Sequence, residues 1–336
     1  MGHTLHKVCP QLAEIDVSHI AVGDRQREKE HALPKVRPRP LRVMASVTFH
    51  LISTSSKHDF LSSVQQLSKP DRPLYLGNCE HWIHAPTLSV PALTGTGPEM
   101  QRWEYLLICT TKSKLDFEVP SALARFVKAH WAIATTIPHE QLDALEGENK
   151  RRAALIVEPL PDGWSPRNHS GLDASDPPAD LEASLALSSV PLGASKSSTP
   201  LGLKDFIATF GTAHTGPVTM FNLLAYHPRQ RPRYLEYIAA FGTSIGSRYG
   251  GDPQFIGFGD CDWSSRESEG TQVADPQANG SSVWEDCALV WYPSILHFGK
   301  MLDDPEYAEV DRKYKHGALR DNPLICCTEI QLEYDC

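Results

Sequence analysis

No stretch of this 336-residue chain approaches the run of about 20 apolar residues that a membrane-spanning helix requires, so no membrane partner is expected. Basic charge is also short. Lys and Arg number 32 against 41 Asp and Glu, a net charge of −9, and no basic face is evident that would neutralise phosphates. Nucleic acid is therefore not an expected partner. The cysteines include no CxxC and no regular spacing: Cys9, Cys79, Cys109, Cys261 and Cys287 stand singly, followed by Cys326-Cys327 and Cys336. That usage argues against a disulfide framework and fits a reducing, cytoplasmic setting. Signatures of chemistry are scarce too. No GxGxxG follows a strand, and neither a P-loop nor HExxH occurs, so no cofactor and no metal are expected. One GxSxG string, Gly242 to Gly246, falls inside an expected helix, whereas a nucleophile elbow needs a sharp strand-to-helix turn. The first forty residues lack the apolar core of a secretory leader, and His6 stands where myristoylation uses Ser or Thr.

What is present is one pattern written twice. At 41% hydrophobic and 22% charged the chain has an ordinary globular composition, and 336 residues suffice for two domains with separate cores. Residues 1–40 are polar and proline-punctuated and read as an N-terminal arm. Over 41–160 a strand from Leu41 is followed by a helix over Lys57–Leu67, with Phe60, Leu61, Val64 and Leu67 on one face. Strands over Leu74–His84 and Trp103–Thr110, a helix over Ser121–Ile137 and a strand over Ala153–Glu158 complete βαββαβ. Residues 161–200, rich in Pro, Ser, Asp and Ala, read as a linker.

Over 201–336 the order returns. A short helix over Leu203–Phe210 precedes the strand VTMFNLLAY from Val218. A helix over Arg233–Tyr249 places Tyr234, Tyr237, Ile238, Phe241 and Ile245 inward and stops at Gly250-Gly251. A strand over Gln254–Gly259 and a polar loop over 260–282 lead to Trp284-Glu285-Asp286 and the strand Cys287–Tyr292. Helices after Ser294 and over Glu306–His316 lead into a last strand from Leu324 to Leu332. Val47-Thr48-Phe49-His50-Leu51-Ile52 matches Thr219-Met220-Phe221-Asn222-Leu223-Leu224 in pattern, and Arg102 to Tyr105 matches Val283 to Asp286. A ferredoxin-like sheet leaves one face bare, and a second such sheet can bury it. The expected fold is α+β: two ferredoxin-like βαββαβ domains forming an intrachain pseudo-dimeric α+β barrel, with the chain a monomer.

The second domain also resembles a known family. Gly216-Pro217-Val218 through Asn222-Leu223-Leu224, Arg248-Tyr249-Gly250-Gly251, Trp284 to Asp286, Tyr292-Pro293-Ser294 and Asp304-Pro305-Glu306-Tyr307 follow, in order, the pattern of a largely uncharacterised family in the dimeric α+β barrel superfamily. The likeness spans about residues 203–330. His297-Phe298-Gly299 departs from the pattern, and Lys315 stands where the family often has arginine. That superfamily includes monooxygenases, isomerases, dehydratases and polyketide cyclases or hydrolyases. A tandem, linker-containing chain looks like the fungal kind that acts on polyketides. The resemblance thus implies a cofactor-independent enzyme of secondary metabolism that promotes hydrolytic release or ring closure of a chain delivered by a polyketide synthase. A non-catalytic carrier of an apolar molecule and a cofactorless monooxygenase are the alternatives.

Candidate residues follow from where polar groups fall among apolar ones. Asp286 shares a strand face with Ala288, Val290 and Tyr292, and a carboxylate in that setting can act as general base or can cap the strand end. Glu285, on the other face, is the second acid considered. Asn222 disfavours a strand and needs a partner, either a ligand oxygen or neighbouring backbone. His50, at the equivalent place, is an acid–base candidate or a core histidine with one hydrogen bond. His130 falls on the stripe of Leu123, Phe126, Val127 and Ala134 and would face the sheet. Trp103, Trp284, Tyr226 and Tyr237 are candidates for lining an apolar substrate pocket or for plain core. Glu80, His81 and His84 share a strand without a convincing ligand spacing.

Overall fold

Alternation builds the first ladder: in β1 (Met44–Thr54) Val47, Phe49 and Leu51 take one face and Thr48, His50 and Ile52 the other. The computed structural model describes residues 44–88, 92–93, 103–111, 118–139, 141–142, 160, 165, 190–191, 203–258 and 283–332. Ser56 then caps α1 (Lys57–Gln65), its hydroxyl accepting from the Asp59 amide, and Phe60 and Val64 turn inward. Strands β2 (Tyr75–His84) and β3 (Tyr105–Thr110), the single turn α2 (Ser121–Ala124) and β4 (Val127–Pro138) complete the first half.

The second half runs α3 (Leu203–Ala213), β5 (Val218–Tyr226), α4 (Arg231–Thr243), β6 (Asp252–Phe258), β7 (Asp286–Tyr292), α5 (Ile295–Leu302), α6 (Pro305–Val310) and β8 (Leu324–Glu329). The strand order is β4-β1-β3-β2 in the first half and β8-β5-β7-β6 in the second, the ferredoxin-like order in both. β2 pairs with β8 and β4 with β6, so the two sheets close into a ring of eight antiparallel strands. The fold is an intrachain pseudo-dimeric α+β barrel. Closure leaves neither sheet with a free edge along these strands.

Both halves fill the barrel interior. Phe49 stacks on Phe221 with ring centroids 5.4 Å apart and an interplanar angle of 11°, and meets Phe255 edge-on at 5.9 Å. Val47, Leu51, Leu106, Leu223, Leu289 and Ile325 surround them, fully or almost fully buried. The Tyr75 hydroxyl crosses from the first half to hydrogen-bond Thr219 of the second. Outside the barrel, α1 covers one sheet through Phe60 and Val64, and α3 to α6 cover the other. Among the described residues no helix is long and apolar enough to cross a membrane.

One expected element is corrected. The helix over Ser121–Ile137 is a single turn, and the chain becomes strand at Val127. Leu123, Phe126, Val127, His130 and Ala134 do recur at helical spacing. The β-branched run Ile133, Thr135, Thr136 and Ile137 favours a strand, however, and β1 offers a ladder along its whole length. β4 therefore takes the fourth strand position, and the strand expected over Ala153–Glu158 lies outside the described residues. So do the arm (1–40), most of the linker (161–200) and the whole loop over 260–282. Within the linker, Val190–Pro191 pairs with Trp82 and His81 of β2. The helix expected over Arg233–Tyr249 breaks at Ser244 (φ −129°, ψ −100°) and resumes over Ile245–Arg248. Gly250 then takes the positive φ, 73°, that the stop requires.

Candidate functional site: a cleft outside the barrel

The outer face of the second sheet presents Met220 and Asn222 from β5, Ala288, Val290 and Tyr292 from β7, and Leu324 from β8. Across from it, α4 presents Tyr234, Tyr237 and Phe241, α5 presents Phe298 and Met301, and α6 presents Tyr307. Between them lies a cleft of about 70 Å³. Two further side chains enter it from unexpected directions. His84 comes from the end of β2, in the first half, because β2 pairs with β8 and sets His84 opposite Leu324. Lys315 closes the five-residue π-helical turn Asp311–Lys315, a rare conformation that recurs at functional sites.

Burial sets the protonation of this lining. Desolvation, and next the positive charge of Lys315, lower His84 to about 4, so its imidazole is neutral near pH 7. Tyr234, Tyr237, Tyr292 and Tyr307 are all raised above the usual phenol range, first by desolvation, so their hydroxyls remain protonated donors. The Tyr292 hydroxyl donates to the Met301 sulfur at 3.7 Å. The Lys315 ammonium lies 5.7 Å from the Tyr237 ring centroid and 3.6 Å from an Asp311 carboxylate oxygen. Asn222 spends one amide hydrogen on the Met220 carbonyl at 3.0 Å and accepts from Asn322 at 3.4 Å. The cleft is thus a mostly apolar chamber holding one cation, one neutral imidazole and several hydroxyl donors.

Of the residues singled out from the sequence, Asn222 and Tyr237 line this cleft. Asp286 stands at the strand mouth beyond it, 2% exposed. Its Oδ2 accepts from Arg231 Nε and from the Tyr226 hydroxyl, each at 2.8 Å, and its Oδ1 accepts from Arg231 Nη2 at 3.2 Å. Tyr226 is thereby fixed to Asp286, while Glu285 accepts from the Tyr226 amide at 2.7 Å. His50 and His130 come together in the first half, His50 Nδ1 lying 2.9 Å from His130 Nε2. Burial holds His50 well below the usual histidine range, with His130, which is exposed on β4, adding to the effect. Trp103 donates to the Leu93 carbonyl at 2.7 Å, and both Trp103 and Trp284 pack in the barrel core. His81 stacks on Phe206 at 3.9 Å, and Glu80 accepts from Thr328. Among the described residues no three His, Cys, Asp or Glu side chains are grouped to hold a metal. Ser244 of the GxSxG string donates its hydroxyl to the Ala240 carbonyl at a helix break, with no strand before it.

His84, Lys315, Tyr234 and Tyr307 were not singled out as site residues. Signals were present: Tyr234 on the inward face of its helix, Tyr307 in the DPEY motif, and Lys315, a lysine where arginine is usual in the family resembled.

No protein-family model matches the chain, and no curated protein matches it. Among solved structures it is similar to a protein of unknown function from Rhodopseudomonas palustris. That match is 23% identical at a TM-score of 0.29, over 38% of this chain and 94% of the other. It is also similar to an uncharacterised NIPSNAP-like domain protein from Burkholderia xenovorans, 13% identical at a TM-score of 0.25, over 36% of this chain and 92% of the other. At these scores the description of the fold rests on the strand order itself.

Proposed function

We propose that the chain is a cofactor-independent enzyme that binds a ring-sized, partly apolar, carbonyl-bearing portion of a polyketide-like metabolite in this cleft and acts on it by acid–base chemistry. The observation that carries the reading is the convergence of His84, Lys315 and the tyrosine hydroxyls on one otherwise apolar chamber. A neutral imidazole accepts a proton from carbon next to a carbonyl, and the lysine cation and hydroxyl donors stabilise the enolate oxygen that forms. The imidazolium so created is buried beside Lys315, which drives prompt return of the proton to the product. Ring closure follows when the enolate attacks a second carbonyl of the substrate. Hydrolytic release follows instead when the imidazole takes a proton from a water that attacks the acyl carbonyl. The tetrahedral oxyanion then collapses to expel the leaving thiolate or alkoxide, which takes that proton. Asp286 serves this reading from outside, by holding Arg231 and Tyr226 at the mouth of β7.

Size limits the ligand. The cleft of about 70 Å³ is smaller than the cavity of about 150 Å³ that admits a benzene ring, so α4 to α6 must part for even one ring to enter. The apolar majority of the lining favours a second reading, a carrier that binds without reaction. One experiment separates them. The chain, its Lys315→Gln variant and its His84→Gln variant are each incubated with a polyketide synthase, and products are followed by mass spectrometry with oxygen uptake recorded alongside. A product change that is lost in both variants supports the enzyme. An unchanged profile with retained ligand in the recovered protein supports the carrier, and oxygen consumption points to a monooxygenase.

A further inference from the structure

β2 and β8 form the longer of the two seams that join the halves, and their register sets Cys79 directly opposite Cys327. Directly opposed residues of antiparallel strands have Cα atoms about 4.5 or 5.5 Å apart, according to the pair type. Both separations fall within the range of about 4.4–6.8 Å that disulfides span. The side chains point the same way, since both pack against the barrel core. The ladder also bulges between Cys326 and Cys327, and a bulge adds local twist that a flat ladder denies to a perpendicular S–S dihedral. Both cysteines are free. Cys326, one residue away, belongs to the opposite face and packs under the helices.

We propose that Cys79 and Cys327 form a disulfide across this seam when the chain meets a small-molecule disulfide such as oxidised glutathione. Cys79 is the half-buried member and reacts first. It loses its proton to water, and its thiolate attacks one sulfur of the reagent, forming a mixed disulfide and releasing one glutathione thiol. Cys327 then gives up its proton and attacks the Cys79 sulfur, expelling the second glutathione. Two electrons and two hydrogens pass from the protein to the reagent in all. Burial keeps the Cys327 thiol protonated and unreactive until Cys79 is activated beside it. The bond stitches the first half to the second and fixes β2, whose far end carries His84 into the cleft.

The test uses the full chain, reduced and then exposed to oxidised glutathione. Intact mass should fall by two hydrogens, and a peptide map should link Cys79 to Cys327. The urea midpoint of the oxidised form should rise and return on adding dithiothreitol. Cys327→Ser should stop at a glutathione adduct on Cys79 with no rise. A stable glutathione adduct on the unaltered chain, a link between other cysteines, or a Cys79–Cys327 link that lowers the midpoint would each overturn the proposal.

Discussion

Phe49 and Phe221, which occupy matching positions in the two sequence repeats, stack on each other at 5.4 Å inside the barrel. Each half thus uses the other as the wall of its core. Phe49→Ala and Phe221→Ala should each cost about 3–5 kcal/mol, the range for large-to-small core changes. The double variant should cost less than the sum, because the second truncation removes a ring already without its partner. Urea unfolding followed by tryptophan fluorescence should show one transition for the whole barrel. Two separate transitions would mean that the halves are independent cores.

Asp286 is held on both oxygens by Arg231 and Tyr226. Asp286→Asn should therefore lower stability by about 1–3 kcal/mol, through donors left poorly paired. The rate per folded molecule should barely change. A variant of normal stability whose turnover falls by about 10²–10⁴-fold would instead make Asp286 the general base.

Three histidines packed into the fold make it acid-sensitive. His50, His81 and His84 are each held below the ordinary value, first by burial. The unfolded chain takes up protons near pH 6.5, while the folded chain resists until about 4 at His84 and about 3 at His81. Between those limits the unfolded state binds more protons. Stability is whole above pH 6.5 and declines as pH falls through the window. For a fully buried histidine such as His81 the slope is at most about 1.4 kcal/mol per pH unit. His81→Phe, which keeps a ring against Phe206, should flatten that decline in urea midpoints measured from pH 7 to 4.

Gly257 of β6 faces Thr135 of β4 at the shorter seam. A Cβ at Gly257 would lie 2.9 Å from the Thr135 Cβ, so Gly257→Ala should cost about 1–3 kcal/mol through overpacking. The Thr135 hydroxyl is buried without a hydrogen-bond partner, so Thr135→Ala should be near neutral. It removes Cγ2 and Oγ1, the two nearest atoms, but leaves the Cβ, so it should rescue Gly257→Ala only in part. Equal thermal midpoints for the single and double variants would show that the clash lies elsewhere.

Both seams form within one chain, so no second copy is needed to bury either sheet. Light scattering at micromolar concentration should give the mass of one chain; a mass of two would point to exchanged halves.

The barrel was legible because its strongest signals are local. VTFHLI and TMFNLL alternate cleanly and match each other, Gly250 marks a helix stop, and proline and serine mark the strand-to-helix turn after Tyr292. β4 was misread because its apolar residues satisfy a helical and a strand period at once, and only the waiting β1 ladder decides between them. The cleft was half legible. Asn222 and Tyr237 lie on elements whose faces the pattern gives. His84 reaches the cleft through the pairing of β2 with β8, and Arg231 meets Asp286 across 55 residues. No local pattern carries either.

In an assembly of two identical chains, every side chain beside the symmetry axis must serve twice, and a change that suits one copy is imposed on the other. Covalent fusion lifts that constraint. His50 and Asn222 hold matching places in the repeat, yet His50 is bound up with His130 while Asn222 faces a cleft. Each half can therefore drift toward its own task, one as framework and one as chamber, while the paired rings of Phe49 and Phe221 keep the two in register.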